Sequence, residues 1–348
     1  MKKYNIHNLL TIEIEDGLED TNRIYDFLDK IHELNSTFPI NKIRVNKIIS
    51  IDISDHREYF DNIFISPKSL IDYKYGIKII VSKNEIVLNT KFRFIEWLMY
   101  SIQLALLRVD CTLIHGAAIS KNDEAILFPS WGGVGKTAIL NDFVKKYGFD
   151  FIGDDLFILD KKGNIFSFPK PMVLYPYHRN LFPEIFKKSP SLIPARFTKT
   201  VSSLVPKIKK ILSPFPTLMN YARNHNPQVK WALPVEVFDK DKICYQTKVK
   251  SAFWLERSNE KTQLAFENKN ICSQILGSTI NEFDQRVVYS VNVLMGLGLL
   301  SNEKYYIKWT QVLDNGLKHA IRGSINVSNS VSINEIGSVI KELIDSEK

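Results

Sequence analysis

The residues best able to do chemistry are Ser130-Trp131-Gly132-Gly133-Val134-Gly135-Lys136-Thr137. The apolar run Ala125-Ile126-Leu127-Phe128 precedes them, and Ala138-Ile139-Leu140 with Phe143-Val144 follow at helical spacing. A strand, a glycine-rich turn, Lys-Thr and a helix make a phosphate-binding loop. Glycine lets backbone N–H groups turn inward around an anion, and the helix N-terminus adds partial positive charge. In this pattern Lys136 reaches the terminal phosphates and the Thr137 hydroxyl suits Mg²⁺. The expected nucleotide-binding set is Ser130, Trp131, Gly132, Gly133, Val134, Gly135, Lys136, Thr137 and Ala138. Ser130 stands where the pattern has glycine, with spare flexibility at Gly132 and Gly133. The plain alternative is a strand–helix turn that happens to hold Lys-Thr.

Two further elements fall in register with this loop. His115, in Leu113-Ile114-His115-Gly116-Ala117, lies on the strand before the loop's own strand. Asp154 and Asp155 are expected to end the strand that follows the loop's helix. Ligands of such sheets gather at strand ends. One acid there can hold Mg²⁺, and its neighbour can take the proton of an attacking hydroxyl. A solvated turn or a helix cap is the competing reading for the acids, and a satisfied core imidazole for the histidine.

The elements that must position these residues are legible from periodicity. Leu10–Ile14 and Ile43–Ile53 read as strands, and Thr21–Leu34 as a helix. Tyr75–Val81 and Glu85–Leu88 read as a hairpin across Ser82-Lys83-Asn84. Phe92–Arg108 is a long apolar helix. Thr112–Ser120 and Ala125–Phe128 are strands joined by a polar turn, and the loop helix runs to about Tyr147, before Gly148. Phe149–Ile152 leads to Gly153-Asp154-Asp155, Leu156–Leu159 stays extended, and a turn at Lys161–Asn164 opens Ile165–Phe168. Residues 169–235 are proline-rich and irregular, with one basic helix over Ser202–Leu212. Val249–Glu256 and Gly323–Val327 are strands, and Ser278–Leu300 and Ser332–Leu343 are helical.

Composition bounds the rest. The 348 residues, 45% hydrophobic, suffice for a sizeable core in one or two domains. The longest apolar stretch, Trp97–Val109, is interrupted by Gln103 and Arg108 and falls short of the ~20 residues of a membrane span. No secretory pattern opens the chain, and Cys111, Cys244 and Cys272 form neither a disulfide framework nor a zinc pattern, so a cytoplasmic location is expected. The net charge is +8. Ile185–Val235 holds no Asp or Glu but nine Lys or Arg, so the rest of the chain is near neutral. Such a segment suits an acidic or phosphorylated partner, or is simply a solvated insertion.

The interval from His115 to Lys136, with Gly153-Asp154-Asp155 after the loop helix, resembles the HPr kinase/phosphorylase family and its wider set of HPr-kinase-like serine kinases. Ser251-Ala252-Phe253-Trp254-Leu255-Glu256-Arg257 looks like a core strand of the same proteins. The resemblance implies an α/β fold: a P-loop-containing mixed sheet core of the HPr kinase C-terminal/phosphoenolpyruvate carboxykinase type, with an N-terminal α+β region. It implies a boundary near 108/109, so that residues 1–108 precede a kinase-like domain at 109–348 with a basic insertion at about 169–235. It implies Asp155 as general base, Asp154 with Thr137 as the Mg²⁺-linked residues, His115 beside the transferred phosphate, and ATP as donor. The order of the two acids is open. Arg257 faces the phosphates or the surface. After Phe168 the chain lacks the family's signature with its Mg²⁺-binding Glu and carries Lys170, Tyr175, Tyr177, His178 and Arg179 instead. That departure argues against HPr as acceptor and against phosphorolysis.

The expected function is therefore ATP-dependent phosphoryl transfer to a hydroxyl, serine first, of a small molecule, peptide or protein. An acidic acceptor and a homo-oligomer accompany this expectation. A regulatory module or NTPase that binds nucleotide without efficient transfer is the alternative. The basic segment carries no nucleic-acid-binding motif.

Overall fold

The computed structural model describes residues 1–18, 41–66, 69–91, 94–187, 229–296, 298 and 303–346. The expected helices Thr21–Leu34 and Ser202–Leu212, and most of the acid-free segment, lie outside these residues. The chain divides into one unit made of Met1–Lys170 with Asp241–Lys348, and a second made of Pro171–Lys240.

The first unit begins with eight strands: β1 (Lys2–Ile6), β2 (Leu10–Ile14), β3 (Lys42–Lys47), β4 (Arg57–Phe60), β5 (Ile63–Ser66), β6 (Ser69–Asp72), β7 (Ile77–Val81) and β8 (Glu85–Thr90). They form a mixed sheet in the order β1-β2-β3-β8-β7-β6-β5-β4. β7 and β8 are the expected hairpin, pairing Val81 with Ile86. β3 stops short of the expected Ile53. Its parallel partner β8 ends at Thr90, so after one more bond, from Ile48 N–H to the Thr90 carbonyl, the chain leaves the sheet and Ile49 is exposed.

Helix α1 (Ile95–Arg108) buries Trp97, Leu98, Ile102, Ala105 and Leu106 at helical spacing. It packs on β2, β3 and β8 of this sheet and on β9 (Cys111–Lys121) of the next. A single apolar core therefore runs across residue 108, from Tyr4 and Ile12 to Leu113 and Trp309.

β9 is buried along nearly its whole length, which is why it reads as a continuous apolar run. It turns at positive-φ Asn122-Asp123 into β10 (Glu124–Pro129), which leads through residues 130–135 to α2 (Lys136–Lys145). β11 (Asp150–Asp160) and β12 (Asn164–Ser167) follow. In the second unit, β13 (Met172–Leu174) pairs antiparallel with β14 (Lys230–Ala232), and Tyr175 stacks on Tyr177. The first unit resumes with β15 (Gln246–Ser258), β16 (Gln263–Ala265), α3 (Ile271–Glu282), α4 (Gln285–Gly296), α5 (Lys308–Gly316), β17 (Ile321–Ser328) and α6 (Ile336–Ser346).

The second sheet runs β10-β9-β11-β12-β15-β17-β16, and β10 also pairs parallel with β15. The ladder of β10, β9, β11, β12 and β15 thus closes on itself. The architecture is mixed α/β. The expected helix Ser278–Leu300 is two helices. Its first begins at Ile271, and the break at Phe283 comes where Asp284 accepts the N–H groups of Arg286 and Val287 and so caps α4.

Candidate functional site

Three neighbouring strands set the site. β10 and β11 flank β9 on either side, so Pro129, Gly116 and Asp155 form one row across the sheet. Gly116 is required there: a Cβ would stand 2.8 Å from the Pro129 Cα and 2.9 Å from the Phe128 carbonyl oxygen. This close crossing brings the start of the glycine-rich loop alongside His115 and the acids.

The acids do not end their strand. β11 continues to Asp160 and pairs with β9 from Asp150↔Ser120 to Asp160↔Cys111. The register slips between Phe151 and Gly153, and Asp155 takes φ +67. A bulge bends a strand and re-aims its side chains while pairing goes on. A non-glycine residue in the left-handed region costs about 1–3 kcal/mol, a strain that clusters at functional sites.

The loop is shaped by Gly133 (φ +83) and Gly135 (φ +106). At Gly135 a Cβ would also meet the Ile336 Cδ1 at 2.8 Å, because α6 packs on α2. Ser130 is fully buried, and its hydroxyl has no hydrogen-bond partner among the described residues. Trp131 is exposed, with its ring edge-on to Trp254 at 6.2 Å. Lys136 is 6% exposed, and its ammonium donates to the Trp131 carbonyl at 2.9 Å. Burial holds the Lys136 pKa below its ordinary value, against the pull of Asp155 and Asp154.

The Thr137 hydroxyl donates to Asp154 Oδ2 at 3.1 Å, joining the helix start to β11. Asp154 is 5% exposed and its Oδ1 has no hydrogen-bond partner among the described residues. Burial, reinforced by the Asp155 charge, raises its pKa to about 7, while Lys136 and the Thr137 hydroxyl oppose the rise. Asp155 meets the Lys170 ammonium at 3.1 Å. Burial alone would raise its pKa, but Lys170 and Lys136 together outweigh that and hold it below the usual carboxylate range. The two adjacent acids are thus driven apart in charge state by their surroundings.

His115 is 2% exposed, and its backbone N–H donates to the Thr279 hydroxyl. Its Nε2 lies 3.2 Å from Glu282 Oε1. Burial, with the Lys136 charge behind it, pulls the imidazole pKa down to about 3. The neutral ring therefore donates from Nε2 to Glu282 and leaves Nδ1 as an acceptor, buried and without a hydrogen-bond partner among the described residues. Glu282 itself is raised above its ordinary range by burial and then by Asp155.

Sequence reasoning did not find Glu282. It is the last residue of α3, and Asp284, which caps the start of α4 two residues on, was the available signal. Lys170, named in the sequence only among the residues that stand in place of the family's signature after Phe168, pairs directly with Asp155. Arg257 lies beside the glycine-rich loop and is half-buried. Its guanidinium donates to the carbonyls of Val134 (3.3 Å), Ser328 (3.0 Å) and Val331 (2.8 Å), and so straps the loop to the end of β17. Arg257→Ala should lower stability by about 2 kcal/mol, since several carbonyls lose a charged donor at once. Urea titration measures this, and an unchanged midpoint would show the strap to be idle.

Among the described residues no group of three His, Cys, Asp or Glu side chains is arranged to hold a metal ion alone. The Thr137–Asp154 pair suits a hard cation that shares its remaining ligands with phosphate and water. It presents two close oxygens, one carboxylate oxygen has no partner among the described residues, and burial disfavours the uncompensated charge. No described helix is long and apolar enough to cross a membrane.

The chain matches no family model, and no curated protein matches its sequence.

Proposed function

We propose that the chain is an ATP- and Mg²⁺-dependent phosphotransferase of the HPr-kinase-like kind, with a P-loop at residues 130–137 and a hydroxyl, serine first, as acceptor. The observation that carries this reading is the convergence of Lys136, Thr137, Asp154 and Asp155 around the Pro129–Gly116–Asp155 row. The likeness in motif spacing to HPr-kinase-like proteins, and the phosphoenolpyruvate carboxykinase-type core that it implies, are part of the same proposal.

In this mechanism the loop's N–H groups and Lys136 receive the donor's phosphates. Thr137 and Asp154 would hold the cation, which when bound neutralises charge on the phosphates. Asp155, ionised and part-exposed, accepts the proton of the acceptor hydroxyl. The hydroxyl oxygen forms the new bond to phosphorus. The bond from phosphorus to the bridging oxygen breaks, and ADP leaves with that electron pair. Neutral His115 keeps its Nδ1 lone pair for a donor hydrogen, because Glu282 fixes the tautomer.

A second reading, nucleotide binding without efficient transfer, is favoured by the Lys136 bond to the Trp131 carbonyl, which occupies the ammonium within its own loop. Calorimetry with Mg²⁺·ATP tests the shared premise. Wild-type protein should bind, and Lys136→Ala should lose at least tenfold in affinity while remaining folded, since a buried charge-assisted phosphate contact is removed. Equal affinity in the two proteins removes the nucleotide site. Binding without any transfer to free serine, serine peptides or water favours the second reading.

A further inference from the structure

We propose that Lys170 is a catalytic residue of the transfer, a second cation that contacts the transferred phosphoryl group from the acceptor side while Lys136 contacts it from the donor side. The inference rests on the phosphotransfer reading above. Its Nζ lies 3.1 Å from Asp155 Oδ2, the carboxylate that takes the acceptor's proton. A hydroxyl bonded to that carboxylate stands about 3 Å from it and in line with the phosphorus. A cation on the same carboxylate therefore sits within contact range of the equatorial phosphoryl oxygens, where negative charge is greatest.

Three features distinguish Lys170 from an ordinary surface partner. Its side chain is mostly buried, with 19% exposed. Its reach is preset, because it lies between Pro169 and Pro171 and its N–H donates to the Phe168 carbonyl at 2.7 Å. The carboxylate it meets is held by a strained residue at φ +67, whereas a structural ion pair needs no such backbone. Around it stand Asp154, Asp155 and Glu282, with neutral His115 and Lys136, all within electrostatic reach of its ammonium. During transfer the bond changes are those given above: the acceptor oxygen bonds phosphorus, the bridging oxygen departs with ADP, and the proton goes to Asp155. Lys170 exchanges no proton.

Calorimetry on the full chain with Mg²⁺·ADP, with and without fluoroaluminate as the planar mimic of the moving phosphoryl group, tests this. Wild-type protein should bind ADP more tightly with fluoroaluminate present. Lys170→Met should keep ADP affinity within about twofold, which also shows that it folds, and lose about tenfold or more of the fluoroaluminate gain. Lys170→Arg should keep most of that gain, and Lys170→Gln replaces Met should Met not fold. An undiminished gain in Lys170→Met overturns the proposal and leaves the nucleotide reading standing. So does a wild-type protein that binds ADP but gains nothing from fluoroaluminate, or a variant that loses ADP and the mimic equally. A wild-type protein with no ADP affinity ends both, and that failure appears before any variant is made.

Discussion

Asp155→Asn should abolish transfer from ATP while leaving nucleotide affinity within a few fold. Asparagine keeps the shape and can still accept from Lys170, so the pairing at Asp155 Oδ2 survives in weakened form. What it cannot do is take a proton. A positioned general base contributes ~10²–10⁴-fold to rate, and that is the loss expected. The wild-type carboxylate is suited to the task because Lys170 and Lys136 overcome the effect of burial and keep it ionised at neutral pH. The measurement is labelled phosphate transfer from ATP to free serine or serine peptides, with calorimetry alongside. A variant that transfers at the wild-type rate would leave Asp155 a structural acid on a bulged strand.

Asp154→Asn should do two things of opposite sign. It should strip the Mg²⁺ dependence from ATP binding, because the cation loses its carboxylate while Thr137 keeps an acceptor for its hydroxyl. It should also stabilise the nucleotide-free protein. The Asp154 pKa is raised to about 7 from the ordinary 3.8, first by burial and then by Asp155. The folded state therefore favours the protonated acid. As pH rises from about 4 through about 7, the unfolded chain ionises freely and the folded one does so at a cost, so stability falls across that window and stays low above it. Asparagine carries no such charge. The variant should exceed wild type by about 1–3 kcal/mol at pH 8, with the gap closing towards pH 4. Thermal melts from pH 5 to 8 without nucleotide read this directly. A variant melting below wild type at pH 8 would mean that the site does not disfavour the charge. The expected pairing of lower function with higher stability is the mark of a site held for its chemistry.

Much of this was legible locally. The run from Ala125 to Val144 reads as strand, glycine turn and helix because its period changes within one stretch and its turn needs glycine at Gly133 and Gly135. β9 reads as a covered strand because both its faces are apolar. His115, Lys136 and the two acids could be grouped by spacing because strands close in sequence usually lie close in a sheet, and here β10 and β11 both pair with β9. Trp309, Val312, Leu313 and Gly316 repeat at helical spacing in α5 and could have been read the same way.

What spacing cannot carry is anything set by contact between distant segments. That β11 runs on past Asp154 depends on β9 being long enough to pair with it. The closure of the second sheet depends on β15, far along the chain, meeting β10. Glu282 reaches His115 only because α3 packs against β9, and Arg257 meets Val134 only because the β15 end lies beside the loop. Charge state is the extreme case. The same residue type is pushed up at Asp154 and held down at Asp155, one position apart, because burial and the neighbouring ammonium groups act on them differently. Residue types and their order determined which groups were available. The tertiary structure alone decided which are neutral, which are paired and which keep an open lone pair, since desolvation and Coulomb interactions depend on distance in space and not on position in the chain.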